Sequence, residues 1–222
     1  MSLIVKICGL STPEALDVAL DAGADMVGFV FFPPSPRNVS FKAASALEAR
    51  VRGLAQKVAL TVDADDTMLS YVVDALGPDM LQLHGDESAM RVAAIKARFK
   101  LPVMKAIAVE HKADLAAIAR YAAVADHLLF DARAPREATR PGGLGKPFDW
   151  HLLENLKPGV PFMVSGGLNA ENVGEALRIT RAPGVDVSSG VERAPGQKDL
   201  DKIRGFIRAA RDAAAKQIDS AA

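Results

Sequence analysis

The chain has one cysteine, Cys8, among its 222 residues. No disulfide can form within it, and that usage fits a reducing compartment. Charge of one sign is also missing: 27 lysines and arginines stand against 27 aspartates and glutamates. Without a polybasic face, neither nucleic acid nor an anionic membrane is an expected partner. No apolar run approaches the ~18 residues of a membrane span. The short apolar run at the N-terminus lacks the pattern of a cleaved signal, so a cytoplasmic protein is expected. The histidines at 111, 127 and 151 have no metal-ligand spacing. No G-x-G-x-x-G follows the first apolar run, which removes the main support for a dinucleotide fold. No linker or shift in composition divides the chain, and residues 1–222 are expected to form one domain. A chain of this size buries roughly 70% of its unfolded surface and needs no staples.

What is present is a recurrence. Strand-like apolar runs fall at Leu3–Cys8, Met26–Phe32, Lys57–Val62, Met80–His84, Pro102–Ala106, His127–Phe130, Pro161–Val164 and Val185–Ser188. Helical periodicity fills the segments between them. Leu16, Ala19 and Leu20 share a face, as do Leu69, Val72, Val73 and Leu76, and Leu200, Ile203 and Ile207. A weaker stripe marks Ser88–Arg98. Thr12 and Pro13 form an N-cap and first helical residue directly after the first strand. Eight strand–helix units predict an α/β fold closed into a single-domain (β/α)8 TIM barrel, with an open doubly wound sheet as the alternative. The recurrence of about 25 residues is the unit itself rather than a sequence repeat. The tail after Ala215 is expected to fray.

In parallel barrels the carboxyl ends of the strands carry the chemistry. Cys8 ends the first strand and shares its inward parity with Lys6 and Ile4. A lone cysteine is ordinarily a small hydrophobe, but a strand-end position beside a cation is expected to lower the thiol pKa and make it a base. Lys6 needs a buried partner, and the closing strand offers Asp186. Asp131 ends strand six, where desolvation by its apolar neighbours Leu129 and Phe130 would keep a carboxyl protonated as an acid; a helix cap is the ordinary alternative. The stretch Ala132–Pro147, glycine-rich and too long for a plain connection, suits a mobile lid.

Ser165-Gly166-Gly167 follows strand seven and leads through Asn169 toward a helix, and Ser188-Ser189-Gly190 follows strand eight. Glycine loops before helices let backbone N–H groups cradle a phosphate, and barrels hold phosphate after strands seven and eight. Arg37 lies in a loop stiffened by three prolines and can grip a carboxylate with its fork, unless it is merely a solvated surface group. His84, in L-Q-L-H-G, either orients the acid or bonds substrate, or is a satisfied structural group. Trp150 is expected to be a packing anchor.

Taken together, K-I-C-G at 6–9, S-P-R at 35–37, L-Q-L-H-G at 81–85, F-D-A at 130–132, G-G-x-G-K-x-F-D-W at 142–150, S-G-G-L at 165–168 and V-D-V-S-S-G-V-E at 185–192 resemble the phosphoribosylanthranilate isomerase family. The match spans nearly the whole chain. Two positions depart from the family's habit: Leu144, where Thr or Ser is commoner, and Ser165, where Ala is.

The resemblance implies a (β/α)8 barrel without metal or cofactor. It implies Cys8 as general base, Asp131 as general acid, Arg37 on an anthranilate carboxylate, and the phosphate on Gly166, Gly167, Ser188, Ser189 and Gly190. The implied reaction is an Amadori rearrangement in tryptophan biosynthesis. The partner expected is a small molecule carrying phosphate and carboxylate, bound by a monomer or homodimer. The rivals are a triose-type aldose–ketose isomerase, which wants a longer Glu as base, and a sugar-phosphate binder without catalysis, which has no use for an acid facing a base. A barrel that also accepts a histidine-pathway ribotide would want a carboxylate where Cys8 stands.

Overall fold

The computed structural model describes residues 3–133 and 147–219. Leu144 and most of the expected lid lie outside the described residues. Eight parallel strands close into a barrel in sequence order: β1 Ile4–Cys8, β2 Met26–Phe31, β3 Gln56–Thr61, β4 Met80–Leu83, β5 Val103–Val109, β6 His127–Ala132, β7 Phe162–Val164 and β8 Gly184–Val187. Each lies within three residues of its expected bounds; β5 overruns them most, at its carboxyl end. The TIM barrel replaces the open-sheet alternative because β1 pairs with β8, Lys6 opposite Asp186.

The strands are apolar on both faces because both are covered. Outward residues such as Val5, Ile7, Phe29, Leu81 and Phe130 pack under the helices. Inward, Met26, Met80, Met104 and Met163 fill the floor with Val58 and Leu129. Above them Lys6 and Gln82 are fully buried, and at the mouth Cys8 packs with Val30 and Leu60.

The helices are α1 Pro13–Asp21, α2 Phe41–Val51, α3 Asp66–Leu76, α4 Ala89–Phe99, α5 Ala117–Ala122, α6 Val173–Thr180 and α7 Leu200–Asp219. Side-chain oxygens of Thr12, Ser40, Asp65 and Ser88 accept the N–H three residues on, satisfying donors the first turn leaves over.

Three details correct the sequence expectation. After β6 the described residues hold only a 3-10 turn, Trp150–Leu153, where a helix was expected. Leu200 is 36% exposed although Ile203 and Ile207 are buried, since Phe206 and Ala210 complete the face that meets the barrel. A hairpin, β9 Glu192–Ala194 with β10 Gln197–Lys198, is inserted between β8 and α7. The loop after β7 leads through Asn169 toward α6 as expected; the Asn169 Oδ1 accepts from the N–H groups of Glu171 and Asn172 and shapes the approach to the helix. Trp150 is buried, as a packing anchor should be.

The Lys6 Nζ to Asp186 Oδ1 distance is 2.8 Å, with both side chains buried. Burial opposes charge on Lys6, but the Asp186 carboxylate together with Cys8 outweighs it, and the ammonium is held above its ordinary pKa. Removing one member of such a pair strands the other. Asp186→Ala is therefore expected to lose ~3–5 kcal/mol in urea unfolding, whereas Lys6→Met with Asp186→Leu should cost far less. Equal losses in the two proteins would show that the stranded charge is not what costs stability.

Candidate active site

The mouth cavity is lined by Cys8, Arg37, His84 and Asp131, and by Ser165, Gly166, Gly167, Ser188 and Ser189 of the loops after β7 and β8. Strand ends supply the chemistry: Cys8 is the last residue of β1, Asp131 lies at the end of β6, and His84 directly follows β4. Thiol and carboxyl thus face one cavity. One wall is apolar, made by Val30, Phe32, Leu60 and Val62.

Cys8 sits above Lys6 over Gly28. A Cβ on Gly28 would lie 2.9 Å from Cys8 Sγ and 3.2 Å from Lys6 Nζ. The missing side chain is what lets thiol and ammonium converge. A glycine inside an apolar strand is a known sign of such close approach, and sequence reasoning passed it over. The expected lowering of the thiol pKa is corrected: burial pushes the Cys8 thiol up, and Asp186 adds to that. Lys6 and Lys198 pull the other way without prevailing, because burial outweighs them.

Asp131 is one end of a side-chain chain. Gln82 Nε2 lies 2.9 Å from His84 Nδ1, and His84 Nε2 lies 3.1 Å from Asp131 Oδ2. With the Gln82 amide donating, His84 carries its proton on Nε2 and presents it to a carboxylate. Turning the amide over reverses both bonds, and His84 Nε2 then accepts from a protonated Asp131. The Gln82–His84 pair can therefore meet Asp131 in either protonation state. Its other oxygen, Oδ1, accepts the Ala132 N–H at 2.9 Å. Of the readings open for His84, the geometry favours orienting Asp131. Gln82, two residues back along β4 on the same face, was not anticipated.

Arg37 is buried rather than solvated. Its loop closes on itself: Ser35 N–H donates to Phe32 O, Asn38 N–H to Ser35 O, and Arg37 N–H to Ser35 Oγ. The proline stiffening is not its only support. Nε and Nη2 donate to Glu192 at 2.7 and 2.8 Å, so part of the fork is already committed inside the protein. Arg37 and Lys198 hold the Glu192 carboxyl below its ordinary pKa, although burial works against this.

The two glycine loops lie side by side. Gly166 has φ +81°, and a Cβ there would meet Ala132 N at 2.4 Å. Gly190 is not at the cavity wall; a Cβ on it would reach 1.8 Å from the Leu168 carbonyl, so its place is the packing of one loop on the other. Ser165 Oγ approaches Asp186 Oδ2 at 3.4 Å, giving the departure from Ala a buried partner. Among the described residues no group of His, Cys, Asp or Glu is arranged to hold a metal ion, and no helix is long and apolar enough to cross a membrane.

A closed eight-stranded parallel barrel with ionisable groups gathered at the carboxyl ends of its strands defines a TIM-barrel enzyme. Residues 5–209 match the family model of N-(5'-phosphoribosyl)anthranilate isomerase. The isomerase of that name from Nitrobacter winogradskyi is 69% identical over 213 residues, covering 96% of this chain and 95% of the relative. The solved phosphoribosyl anthranilate isomerase from Thermotoga maritima superposes with a TM-score of 0.85 at 34% identity, covering 95% of this chain and 99% of that one. Another solved relative, with a TM-score of 0.82, 32% identity and the same coverage, is in complex with reduced 1-(o-carboxyphenylamino)-1-deoxyribulose 5-phosphate. The chain belongs to the N-(5'-phosphoribosyl)anthranilate isomerase family, the isomerases of this step of tryptophan biosynthesis.

Proposed function

We propose that the chain converts N-(5'-phosphoribosyl)anthranilate into 1-(2-carboxyphenylamino)-1-deoxyribulose 5-phosphate by an Amadori rearrangement, with Asp131 as general acid and Cys8 as general base. Asp131 gives its proton to the furanose ring oxygen as the C1'–O bond breaks. The nitrogen lone pair forms the C1' iminium. Cys8 thiolate takes the C2' proton, and the C–H electrons form the C1'=C2' enolamine. Proton movement from the C2' hydroxyl and to C1' completes the ketose. No electrons enter or leave, so no hydride carrier is needed.

The observation that carries this reading is one cavity that gathers a thiol, a carboxyl, an arginine, a group of apolar side chains and two glycine loops on its wall. The slot formed by Val30, Phe32, Leu60 and Val62 suits an aromatic ring, with Arg37 at hand for its carboxylate. The loops after β7 and β8 suit phosphate. Anchoring both ends sets C2' beside the thiol. The iminium cation favours the thiolate at the step that uses it, which works against the desolvation that raises the thiol pKa. The relative holding the reduced product analogue supports the same substrate.

Turnover of the fluorescent anthranilate derivative by purified protein tests the reading, and its absence would overturn it. Arg37→Lys keeps a cation for Glu192 but loses the planar fork. It is expected to raise KM about ten- to a hundredfold with kcat nearly held, as for a lost hydrogen bond to a charged group. A wild-type KM would remove Arg37 from the substrate.

A further inference from the structure

The hairpin β9–β10 places Lys198 where several threads of the site meet. Its side chain is 2% exposed. Nζ donates to Ser188 O at 2.9 Å, to Ser188 Oγ at 3.4 Å and to Glu192 Oε1 at 2.9 Å. The Ser188 hydroxyl in turn donates to Cys8 O at 3.1 Å. Its one proton is spent there, so its lone pairs are what Lys198 meets. The other Glu192 oxygen accepts from Arg37 Nη2 and from Gly196 N–H. At the hairpin tip Gly196, φ +79°, lies so close to the Arg37 loop that a Cβ would fall 2.3 Å from Pro36 O. A continuous line of bonds thus runs from the backbone of the thiol residue, through Ser188, Lys198 and Glu192, to the guanidinium.

We propose that Lys198 is the positioning residue of this site: one ammonium fixes Ser188 against Cys8 and Glu192 against Arg37, so that base, phosphate loop and carboxylate anchor hold a single register. The inference rests on the roles given above to Cys8 and Arg37. It assigns a task to an inserted hairpin that neither the barrel nor the reaction itself demands. Lys198 also acts on the thiol through space. The charged groups nearest Cys8 are Lys6 on β1, Asp186 on β8 and Lys198 on β10, with Arg37, His84 and Asp131 on the same cavity. Burial raises the thiol pKa most, and Lys6 and Lys198 oppose it.

Lys198→Met and Lys198→Arg test this with two readouts. The first is KM against kcat in the isomerase assay. The second is the pH midpoint of alkylation by iodoacetamide, which reports Cys8 alone because it is the only cysteine. Lys198→Met is expected to raise KM tenfold or more and to move the midpoint up by on the order of half a pH unit. Lys198→Arg should return the midpoint to the wild-type value, since the charge is kept, while KM stays raised because the three-way bonding is not reproduced.

A folded Lys198→Met with wild-type KM and midpoint overturns the proposal. So does a fall in kcat alone, the mark of a residue that only stabilises the fold. Should the Met variant not fold, Lys198→Arg decides: a wild-type KM there overturns the proposal. Failure of the parent reading looks different. The wild-type protein would then lack turnover, while the alkylation arm would still report the hold of Lys198 on Cys8.

Discussion

Cys8→Ala is expected to lower kcat by about 10²–10⁴, the range for losing a positioned general base. KM should stay close to wild type, because the groups proposed to hold the carboxylate and phosphate are elsewhere on the wall. The fold should survive, since only one sulfur at the mouth is lost. The pH profile gives a second check. Burial raises the thiol pKa, so the thiolate fraction increases with pH through neutrality. Wild-type kcat/KM should therefore climb with pH on that limb, and Cys8→Ala should flatten the climb. Steady-state fluorescence across a pH series measures both. Retention of the wild-type rate, or of the wild-type limb, would take the base role away from Cys8.

Asp131→Asn is expected to cost a comparable ~10²–10⁴ in kcat for the loss of the acid. The change is nearly isosteric. The asparagine amide can still meet His84, and its carbonyl can still accept from Ala132 N–H, so the cavity wall should keep its shape. What it cannot do is give up a proton to the ring oxygen. Single-turnover measurements should show normal binding and slowed ring opening. A rate within tenfold of wild type would falsify the assignment of the acid.

The barrel was readable because each strand must be apolar on both faces, and eight such runs leave a plain trace. Closure could be argued from two residues: a lysine inside β1 had to find an acid, and Asp186 on the last strand stands opposite it. The turn-forming residues were equally plain at Thr12, whose cap is local chemistry. The helix after β6 was expected from the rhythm alone, and the described residues there show a 3-10 turn. Rhythm does not report what one connection does. The exposure of Leu200 has a similar cause, because a stripe identifies a helix face but not where that face ends against its neighbours.

Cys8, His84 and Asp131 were visible as chemistry-bearing types at strand ends and Arg37 as one in the loop after β2, and the structure brings all four to one cavity. Their partners were not visible. Glu192 and Lys198 act through contacts made across the barrel mouth, which no local pattern encodes, whereas Gln82 stands two residues before His84 on the same face of β4, a spacing that could have marked it. Gly28 did leave a trace, a glycine in an apolar strand, though its meaning depends on what lies above it.

By itself the sequence determined the period of the fold and marked the ionisable groups at the ends of its strands, since these follow from hydrophobic spacing and from residue type, while closure of the sheet was settled by the pairing of β1 with β8. Tertiary structure alone decided the electrical state of those groups. The direction of the thiol shift comes from the balance of burial and Asp186 against Lys6 and Lys198, and the commitment of Arg37 to Glu192 comes from a hairpin folded over the rim. Both are sums over neighbours distant in sequence, and such sums exist only once the chain has closed.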